Sequence, residues 1–331
     1  MSVSEQVAPE FDARPPLGFQ RTVDRALVHR TSVAEVFVTD SVRIGERRCL
    51  VGAQLPLTHG HYSDHLGVPA RYDPMLLLEA CRQAGIYGAH AVVGLPLGHS
   101  MIVSTFSIEL DDVDATITGA EPGELVLDTT LSGNPTPRGR VRNAGVEQEL
   151  YLGGRLAGRH ELSLKVMRQS EIAALRDFQR GTVPPSTAAY QGFRGDDQVA
   201  PHLVGRVDPR NVVLAGLRRS PDAVTATVSP HFGNRALFDH EYDHLPAMVL
   251  AEAARQAALA LVDDGTGVEL VHWCVAGVTA VFERYAELDE LLLAHATAHP
   301  GGAERKVNVK FTQGGEGVAE IGVRLVRTGG E

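Results

Sequence analysis

Two segments of the chain repeat one another. Residues 73–84 read DPMLLLEACRQA, residues 246–257 read PAMVLAEAARQA, and seven of the twelve positions are identical. Both consist mostly of strong helix formers, with a proline near the start, where a helix tolerates it. Each is apolar on nearly every side, which is typical of a buried helix. The sequence therefore predicts two copies of one folding unit, each built on a buried helix.

Extended segments surround both predicted helices. Alternating apolar residues at 33–43 and 212–230 predict strands before each helix, and Gly153-Gly154 predicts a hairpin turn. The strands predicted after the helices are 101–110, 123–131, 145–167, 278–287, 291–300, 304–313 and 318–326. One buried helix and one antiparallel sheet in each half predict an α+β fold, in which each sheet wraps its helix and the halves pack as a pseudo-dimer.

Segments without strand alternation set the predicted boundaries. Residues 1–20 are predicted to be a polar N-terminal arm, and 21–170 the first repeat. Residues 171–204 contain Pro-Pro, glycines and charges, and are predicted to be a connector. Residues 205–331 form the predicted second repeat.

Composition narrows the class of protein. Of 331 residues, 44% are hydrophobic and the net charge is −10, which fits a globular protein and gives no indication of a nucleic-acid partner. No apolar run has the length of a membrane span, and the N-terminus lacks the pattern of a secretory signal. Three cysteines without a C-x-x-C pair favour a reducing compartment. We therefore expect a cytoplasmic protein that binds neither membrane nor nucleic acid.

Basic residues gather in one part of the first repeat. A solvated strand face is the default interpretation, and a docking surface for an acidic protein is the alternative. The residues are Arg138, Arg140, Arg142, Arg155, Arg159, Lys165 and Arg168.

Several motifs resemble the A-factor-type γ-butyrolactone synthases, the AfsA family. These are VHR (28–30), EVFVTD (35–40), QLPLTHGHYSDH (54–65) and both helix segments, so the resemblance spans nearly the whole chain. It implies a double hotdog fold. It also implies transfer of a β-ketoacyl group from an acyl carrier protein to the hydroxyl of dihydroxyacetone phosphate, towards a γ-butyrolactone or a related butenolide or furan signal. No cofactor is implied, since the carrier brings its own phosphopantetheine, and association into a homodimer is left open.

Each predicted helix carries one glutamate, Glu79 or Glu252. A carboxyl desolvated in an apolar helix is expected to have a raised pKa, so either could act as the base that acyl transfer needs. The alternative is that each glutamate only neutralises the arginine three residues later. Because the costly group occurs in both repeats, we favour the catalytic interpretation.

The residues after each glutamate are candidates for binding phosphate. A planar guanidinium suits a phosphate dianion, which makes Arg82 and Arg255 the main candidates. Gln83 and Gln256 follow them directly and are included as candidate substrate-binding residues.

Histidines precede both helices. In single-hotdog dehydratases, which the chain also resembles, a histidine stands 14 residues before the helix acid, as His65 does before Glu79. In the second repeat, His240 and His244 precede Glu252 by 12 and 8 residues, and which one corresponds is open. The analogy pairs His65 with Glu252, and His240 or His244 with Glu79.

The helix N-termini are candidate oxyanion sites. Pro74 has no N–H, so the predicted donors are the amide of Met75 in the first repeat and that of Ala247 or Met248 in the second. The two pockets need not be equivalent.

The segment THGHYSDHLG (58–67) resembles the metallo-β-lactamase zinc signature H-x-H-x-D-H. Two residues separate His61 from Asp64 instead of one, which changes the relative orientation of the ligands. We therefore expect no metal site.

Two other functions stay open. A hotdog thioesterase or dehydratase acting on the same carrier thioester would not need the triose phosphate. A non-catalytic protein that binds an acyl chain or a lactone would tolerate replacement of both glutamates.

Overall fold

The computed structural model describes residues 15–135, 141–190, 192, 197–298, 302 and 304–328. The helices are α1 (Pro74–Ala91), α2 (Gln169–Arg180) and α3 (Ala247–Val262). The strands of the first half are β1 (Val38–Arg43), β2 (Arg48–Leu55), β3 (His99–Leu110), β4 (Gly123–Pro135), β5 (Val141–Leu152) and β6 (Arg155–Arg168). Those of the second half are β7 (Leu214–Arg219), β8 (Ala223–Val228), β9 (His244–Leu245), β10 (Trp273–Phe282), β11 (Ala286–Glu287), β12 (Leu293–Ala298), β13 (Glu304–Gln313) and β14 (Glu316–Arg327).

Twelve of these strands form one continuous antiparallel sheet. Its order is β1-β2-β4-β5-β6-β3-β10-β14-β13-β12-β8-β7, so the second half repeats the order of the first in reverse. The halves join where β3 pairs with β10, with Ile108 opposite Val278. The remaining two strands, β9 and β11, pair with each other. The predicted α+β pseudo-dimer is confirmed, and the sheets of its two halves join into one.

Both predicted helices lie on the inner face of this sheet. In α1, the Asp73 carboxylate accepts a hydrogen bond from the Met75 amide, and Pro74 occupies the first turn. Gly85 and Gly88 allow close approach to the sheet, because a Cβ at Gly88 would lie 2.9 Å from a methyl of Leu131. Both helices are buried along most of their length.

The connector has structure of its own. The predicted segment 171–204 contains most of α2, which sequence reasoning missed. Arg176 anchors α2 to the second half. Its guanidinium is buried and donates to Asp243, directly before β9, and to Glu287 in β11. Arg180 also donates to Glu287, at 2.5 Å. The connector therefore packs against the segment that leads into α3.

Other local predictions have mixed outcomes. Gly153 and Gly154 form the turn between β5 and β6 with φ of 54° and 80°, as predicted. In the proposed basic cluster, Arg155 and Arg159 pair with Asp112 and Asp111. Its members Arg138 and Arg140 lie outside the described residues. No helix in the described ranges has both the length and the apolar character required to cross a membrane.

Candidate active site

The Glu79 carboxylate lies at the centre of a buried ion cluster. Arg82 donates from Nε to Oε2 at 2.8 Å and from Nη2 to Oε1 at 2.9 Å. Arg30, in the segment before β1, donates from Nε to Oε1 at 3.1 Å, and its Nη2 also contacts Oε1. Gln83 donates to the same oxygen at 2.7 Å. The glutamate side chain has no exposed surface, so the two guanidinium groups separate it from solvent.

The same cluster recurs around Glu252. Arg255 donates from Nε and Nη2 at 3.0 and 2.7 Å, and Arg206 donates from Nε at 3.0 Å. Gln256 donates at 2.5 Å. Arg206 thus corresponds to Arg30. The repeat of the helices extends to their long-range partners.

The predicted rise in the pKa of the two glutamates is wrong. Burial alone would raise the pKa of the Glu79 carboxyl, but Arg30 and Arg82 outweigh it and lower that pKa to about 2. At Glu252, burial is likewise outweighed by Arg206 and Arg255, so the pKa falls well below its ordinary value. A carboxylate this weakly basic is not suited to take a proton from an alcohol. Each glutamate instead holds two arginines in place.

Each half contributes a loop to the cluster of the other half. The Asp239 carboxylate accepts hydrogen bonds from the amides of Thr31 and Ser32, next to Arg30. Asp64 accepts in the same way from Val207 and Asp208, next to Arg206.

The two aspartates fix the correspondence between the preceding loops. His240 follows Asp239 as His65 follows Asp64, so His240 is the counterpart of His65. By the same alignment Ala236, three residues before Asp239, is the counterpart of His61, three residues before Asp64.

The Glu79 cluster opens into a large cleft of about 1480 Å³. Arg82, with 28% of its side chain exposed, and Arg30 line it on one side. Ala247 and Met248, at the start of α3, line it as well. Pro246 precedes this helix and no side chain caps it, so the helix N-terminus faces the cleft without a bound carboxylate. Apolar side chains complete the walls, among them Leu78, Ile86, Phe106, Leu164 and Leu250.

The Glu252 cluster is sealed. His61, which is 2% exposed, lies beside Arg206 and bonds through Nδ1 to the Asn211 side chain at 3.1 Å. The side chain of Arg255 is 5% exposed. At the start of α1, the Met75 amide already donates a hydrogen bond to the Asp73 carboxylate, at 2.8 Å. The space corresponding to the cleft is about 50 Å³, which is room for a water molecule or two.

Comparisons with known proteins identify the family. The model of the A-factor biosynthesis hotdog domain, AfsA, matches residues 11–168 and 194–328. The chain belongs to the AfsA family. A Streptomyces virginiae protein named 2-oxo-3-(phosphooxy)propyl 3-oxoalkanoate synthase is 32% identical over 303 residues, covering 87% of this chain and 92% of its own. A protein of the same name from Streptomyces coelicolor is 30% identical, covering 88% and 86%.

A solved structure agrees with the fold. The 12:0-ACP thioesterase from Umbellularia californica superposes with a TM-score of 0.52 over 84% of this chain and 94% of its own. Sequence identity is 10%, so the likeness concerns the double hotdog fold of this AfsA-family protein and not its reaction.

The histidines of the two preceding loops lie near the ion cluster of the other half. His65 donates from Nε2 to the Arg71 carbonyl at 2.8 Å, and His61 lies within the electrostatic influence of Glu252. His240 lies 3.5 Å from Asp239, within the electrostatic influence of Arg30 and Arg82.

His244 also belongs to the second repeat, and it lines the cleft of this AfsA-family protein. It bonds to Asp243 at 2.5 Å. The exchange of loops between halves is therefore found as expected. The pairing of His65 with Glu252 stays a prediction, since His65 lines the small space beside Arg255, the partner of Glu252.

Four other predicted site residues have structural partners instead. Gln83 donates to the Glu35 carbonyl and accepts from the Phe37 amide. Gln256 donates to the Asn211 carbonyl and accepts from the Val213 amide in the same way. Each glutamine thus holds the backbone segment that precedes the first strand of its half. The Met75 amide is occupied by Asp73 and Arg255 is buried, so neither is accessible to substrate. Of the predicted residues, Arg82, Ala247, Met248 and His244 line the cleft.

The histidine-rich loop does not converge on one point. His59 lies 3.4 Å from Glu35, His61 bonds to Asn211, and His65 bonds to Arg71. Within the described residues, no group of three or more His, Cys, Asp or Glu side chains is arranged to hold a metal ion.

Sequence reasoning missed the partner arginines. Arg30 and Arg206 stand 49 and 46 residues before their glutamates, beyond the reach of helical spacing. A signal was present, since Val28-His29-Arg30 and Val204-Gly205-Arg206 precede the first strand of each half. Alignment of the repeats beyond their helices would have found both.

The ion cluster predicts an acid-sensitive stability. The Glu79 carboxyl has a pKa of about 2 when folded against an ordinary 4.5, so its stabilising effect is complete above pH 4.5 and is lost as the pH falls towards 2. The loss from this group is on the order of 3 kcal/mol. We expect Glu79→Gln to be less stable at neutral pH, but to lose less stability over this window. Chemical denaturation at several pH values tests this, and parallel curves for both proteins would contradict it.

Proposed function

We propose that this protein transfers a β-ketoacyl group from an acyl carrier protein to the hydroxyl of dihydroxyacetone phosphate, in the cleft beside Glu79. The name of the relatives describes the ester that this reaction forms. The observation that carries the proposal is one cleft with apolar walls, two guanidinium groups and an open helix N-terminus. These features match the acyl chain, the phosphate and the thioester carbonyl.

Arg82 is the proposed phosphate-binding residue. It lines the cleft and is partly exposed, while Glu79 fixes its guanidinium through two hydrogen bonds. Because Arg30 and Arg82 share one carboxylate, the cluster keeps a net positive charge. That charge favours a phosphate dianion over a neutral triose.

The start of α3 is the proposed oxyanion site. The amides of Ala247 and Met248 stand at a helix N-terminus, where the helix dipole favours negative charge, and they face the cleft without a capping side chain. A tetrahedral intermediate bound there would be stabilised without reorganisation of the protein.

The remaining components follow from the substrates. The carrier supplies phosphopantetheine, so we propose no cofactor of the protein itself. Both substrates belong to central metabolism, and we propose the cytoplasm as the place of reaction.

Intact-mass analysis of a β-ketoacyl carrier protein incubated with this protein tests the proposal. We expect loss of the acyl group only when dihydroxyacetone phosphate is present, with the acyl ester of the triose phosphate as product. Loss without it would assign a thioesterase. An intact thioester under both conditions, across short and long acyl chains, would exclude acyl transfer.

A further inference from the structure

His244 lies on the wall of the cleft, in the short strand β9 that leads into α3. Only Leu245 and Pro246 separate it from Ala247, whose amide is one of the proposed oxyanion donors. The side chain of His244 is 27% exposed. The imidazole and the helix N-terminus therefore border the same space.

Two tyrosines hold the His244 ring on the side of the cleft that leads to the phosphate site. The rings of Tyr285 and Tyr242, which both line the cleft, stand nearly perpendicular to the imidazole, with centroids 4.8 and 6.2 Å away. Tyr242 also lies within the electrostatic influence of Arg82, the proposed phosphate-binding residue. The imidazole thus stands between the two groups that are proposed to bind the phosphate and the oxyanion.

A carboxylate fixes the proton on the His244 ring. His244 Nδ1 lies 2.5 Å from Asp243 Oδ1. Burial would raise the pKa of Asp243, but the hydrogen bond to His244 and the charge of Arg176 outweigh it and lower that pKa to about 2. The ionised carboxylate only accepts, so Nδ1 carries a proton and, in the neutral ring, the lone pair is on Nε2. Nε2 makes no hydrogen bond to any part of the chain that the structure describes.

The carboxylate is itself held in place. Arg176 is buried and donates from Nε to Asp243 Oδ2 at 3.0 Å and from Nη2 to the Asp243 carbonyl at 3.1 Å. The guanidinium also lies 4.3 Å from the centre of the Tyr285 ring and donates to Glu287. A base that is oriented by a second group within hydrogen-bond reach is the arrangement that activates a hydroxyl for attack.

The pair of Asp243 and His244 is found only at the open cleft. His244 stands eight residues before Glu252, and eight residues before Glu79 the chain has Arg71. Arg71 lines the small space at the sealed cluster, where its guanidinium donates to the Val113 carbonyl and to Asp114. The sealed pocket therefore has a cation with structural partners where the open cleft has an imidazole.

We propose that His244 Nε2 is the proton acceptor for the triose hydroxyl, with Asp243 as its positioning residue; this role rests on the proposed acyl transfer. The hydroxyl oxygen attacks the thioester carbonyl as its proton passes to His244, and the oxyanion forms at the start of α3. The Asp243 carboxylate stabilises the imidazolium. Collapse of the intermediate breaks the carbon–sulfur bond, and the departing thiolate takes the proton from His244, which leaves the oxygen ester and the free carrier thiol.

The His244→Ala variant removes the base. We expect the rate constant of transfer to fall by about 100-fold or more, since general-base catalysis contributes that much, with KM for the triose phosphate unchanged. Added imidazole should restore part of the rate, because alanine leaves room for it. His244→Gln, which keeps a donor for Asp243 but has no imidazole, is the second variant and should lose the rate to the same extent. Thermal unfolding shows that each variant is folded.

The Asp243→Asn variant tests the positioning role with little change in size. Arg176 only donates, so the amide oxygen has to face Arg176 and the NH₂ group faces His244 Nδ1. The neutral ring then carries its proton on Nε2 and has no lone pair for the hydroxyl. Because a wrong tautomer costs up to about 10⁴-fold in rate, we expect a fall of at least about 100-fold with KM unchanged.

His240→Ala is the matched control, since His240 is four residues away and is not among the described residues that line the cleft. We expect its rate constant to stay within about threefold of the wild type. Two outcomes would overturn the role of His244. One is a rate for His244→Ala and His244→Gln within threefold of the wild type, and the other is a loss in His244→Ala that imidazole does not restore. Failure of the proposed function is distinct, because the wild-type protein itself would then form no triose ester.

Discussion

Replacing Arg82 by glutamine is expected to raise KM for dihydroxyacetone phosphate by about 10- to 100-fold, since a hydrogen bond to a charged group is worth about 1.5–3 kcal/mol. Arg82 faces the cleft with 28% of its side chain exposed. Glu79 keeps Arg30 as a partner, so the cluster survives the change. Steady-state kinetics with the triose phosphate as the varied substrate, together with thermal unfolding, measure both effects.

Arg255→Gln is the matched control, because Arg255 is the counterpart of Arg82 in the sealed cluster. Its side chain is 5% exposed and bonds twice to Glu252. Removing one partner of a buried ion pair costs about 3 kcal/mol, so we expect a clear loss of stability with KM nearly unchanged. A rise in KM from Arg255→Gln, and none from Arg82→Gln, would show that the phosphate binds at the Glu252 cluster and not at the Glu79 cluster.

The helices and most strands could be predicted because their signals are local. Apolar periodicity identifies α1 and α3, and the alternation in residues 304–313 coincides with β13. The repeat of Glu79 at Glu252 also indicated that both positions matter. The fold and the candidate residues could therefore be predicted from the sequence and from its resemblance to a known family.

The protonation state of the glutamates could not be predicted in this way. Burial by itself raises the pKa of a carboxyl, and that effect follows from an apolar helix. The opposing effect comes from Arg30, which reaches Glu79 across 49 residues of sequence and is visible only in the fold. The sign of the shift depends on the number of arginines around the carboxylate, and only one of the two is on its own helix.

The difference between the two pockets also has a physical cause outside the helix motif. The glutamate, arginine and glutamine are the same in both clusters, and the loop residues His61 and Ala236 differ. At the Glu252 cluster, burial together with Arg206 lowers the pKa of His61 to about 4, so a neutral imidazole fills the space. At the Glu79 cluster, the Ala236 methyl lines the cleft. The two loops thus differ at this position: a buried imidazole lies beside Arg206 in one, and a methyl lines the cleft in the other.

Placing a histidine at position 236 is therefore expected to close the active cleft. In Ala236→His the imidazole would lie beside Arg30, as His61 lies beside Arg206, and would occupy the space next to Arg82. We expect acyl transfer to fall by about 100-fold or more, as occurs when a reacting group is misplaced by about 1 Å. Thermal stability should change little, because the side chain enters an existing cleft. Transfer assays and thermal unfolding measure the two effects.

The reverse change supplies the control. His61→Ala opens the sealed cluster and removes hydrogen-bond partners from Asn211 and Arg206, so we expect a loss of about 1–3 kcal/mol in stability. Transfer should stay within about threefold of the wild type, since the cleft beside Glu79 is untouched. If His61→Ala abolished transfer in a folded protein while Ala236→His did not, catalysis would belong to the Glu252 cluster. His61 would then be part of the catalytic site instead of its seal.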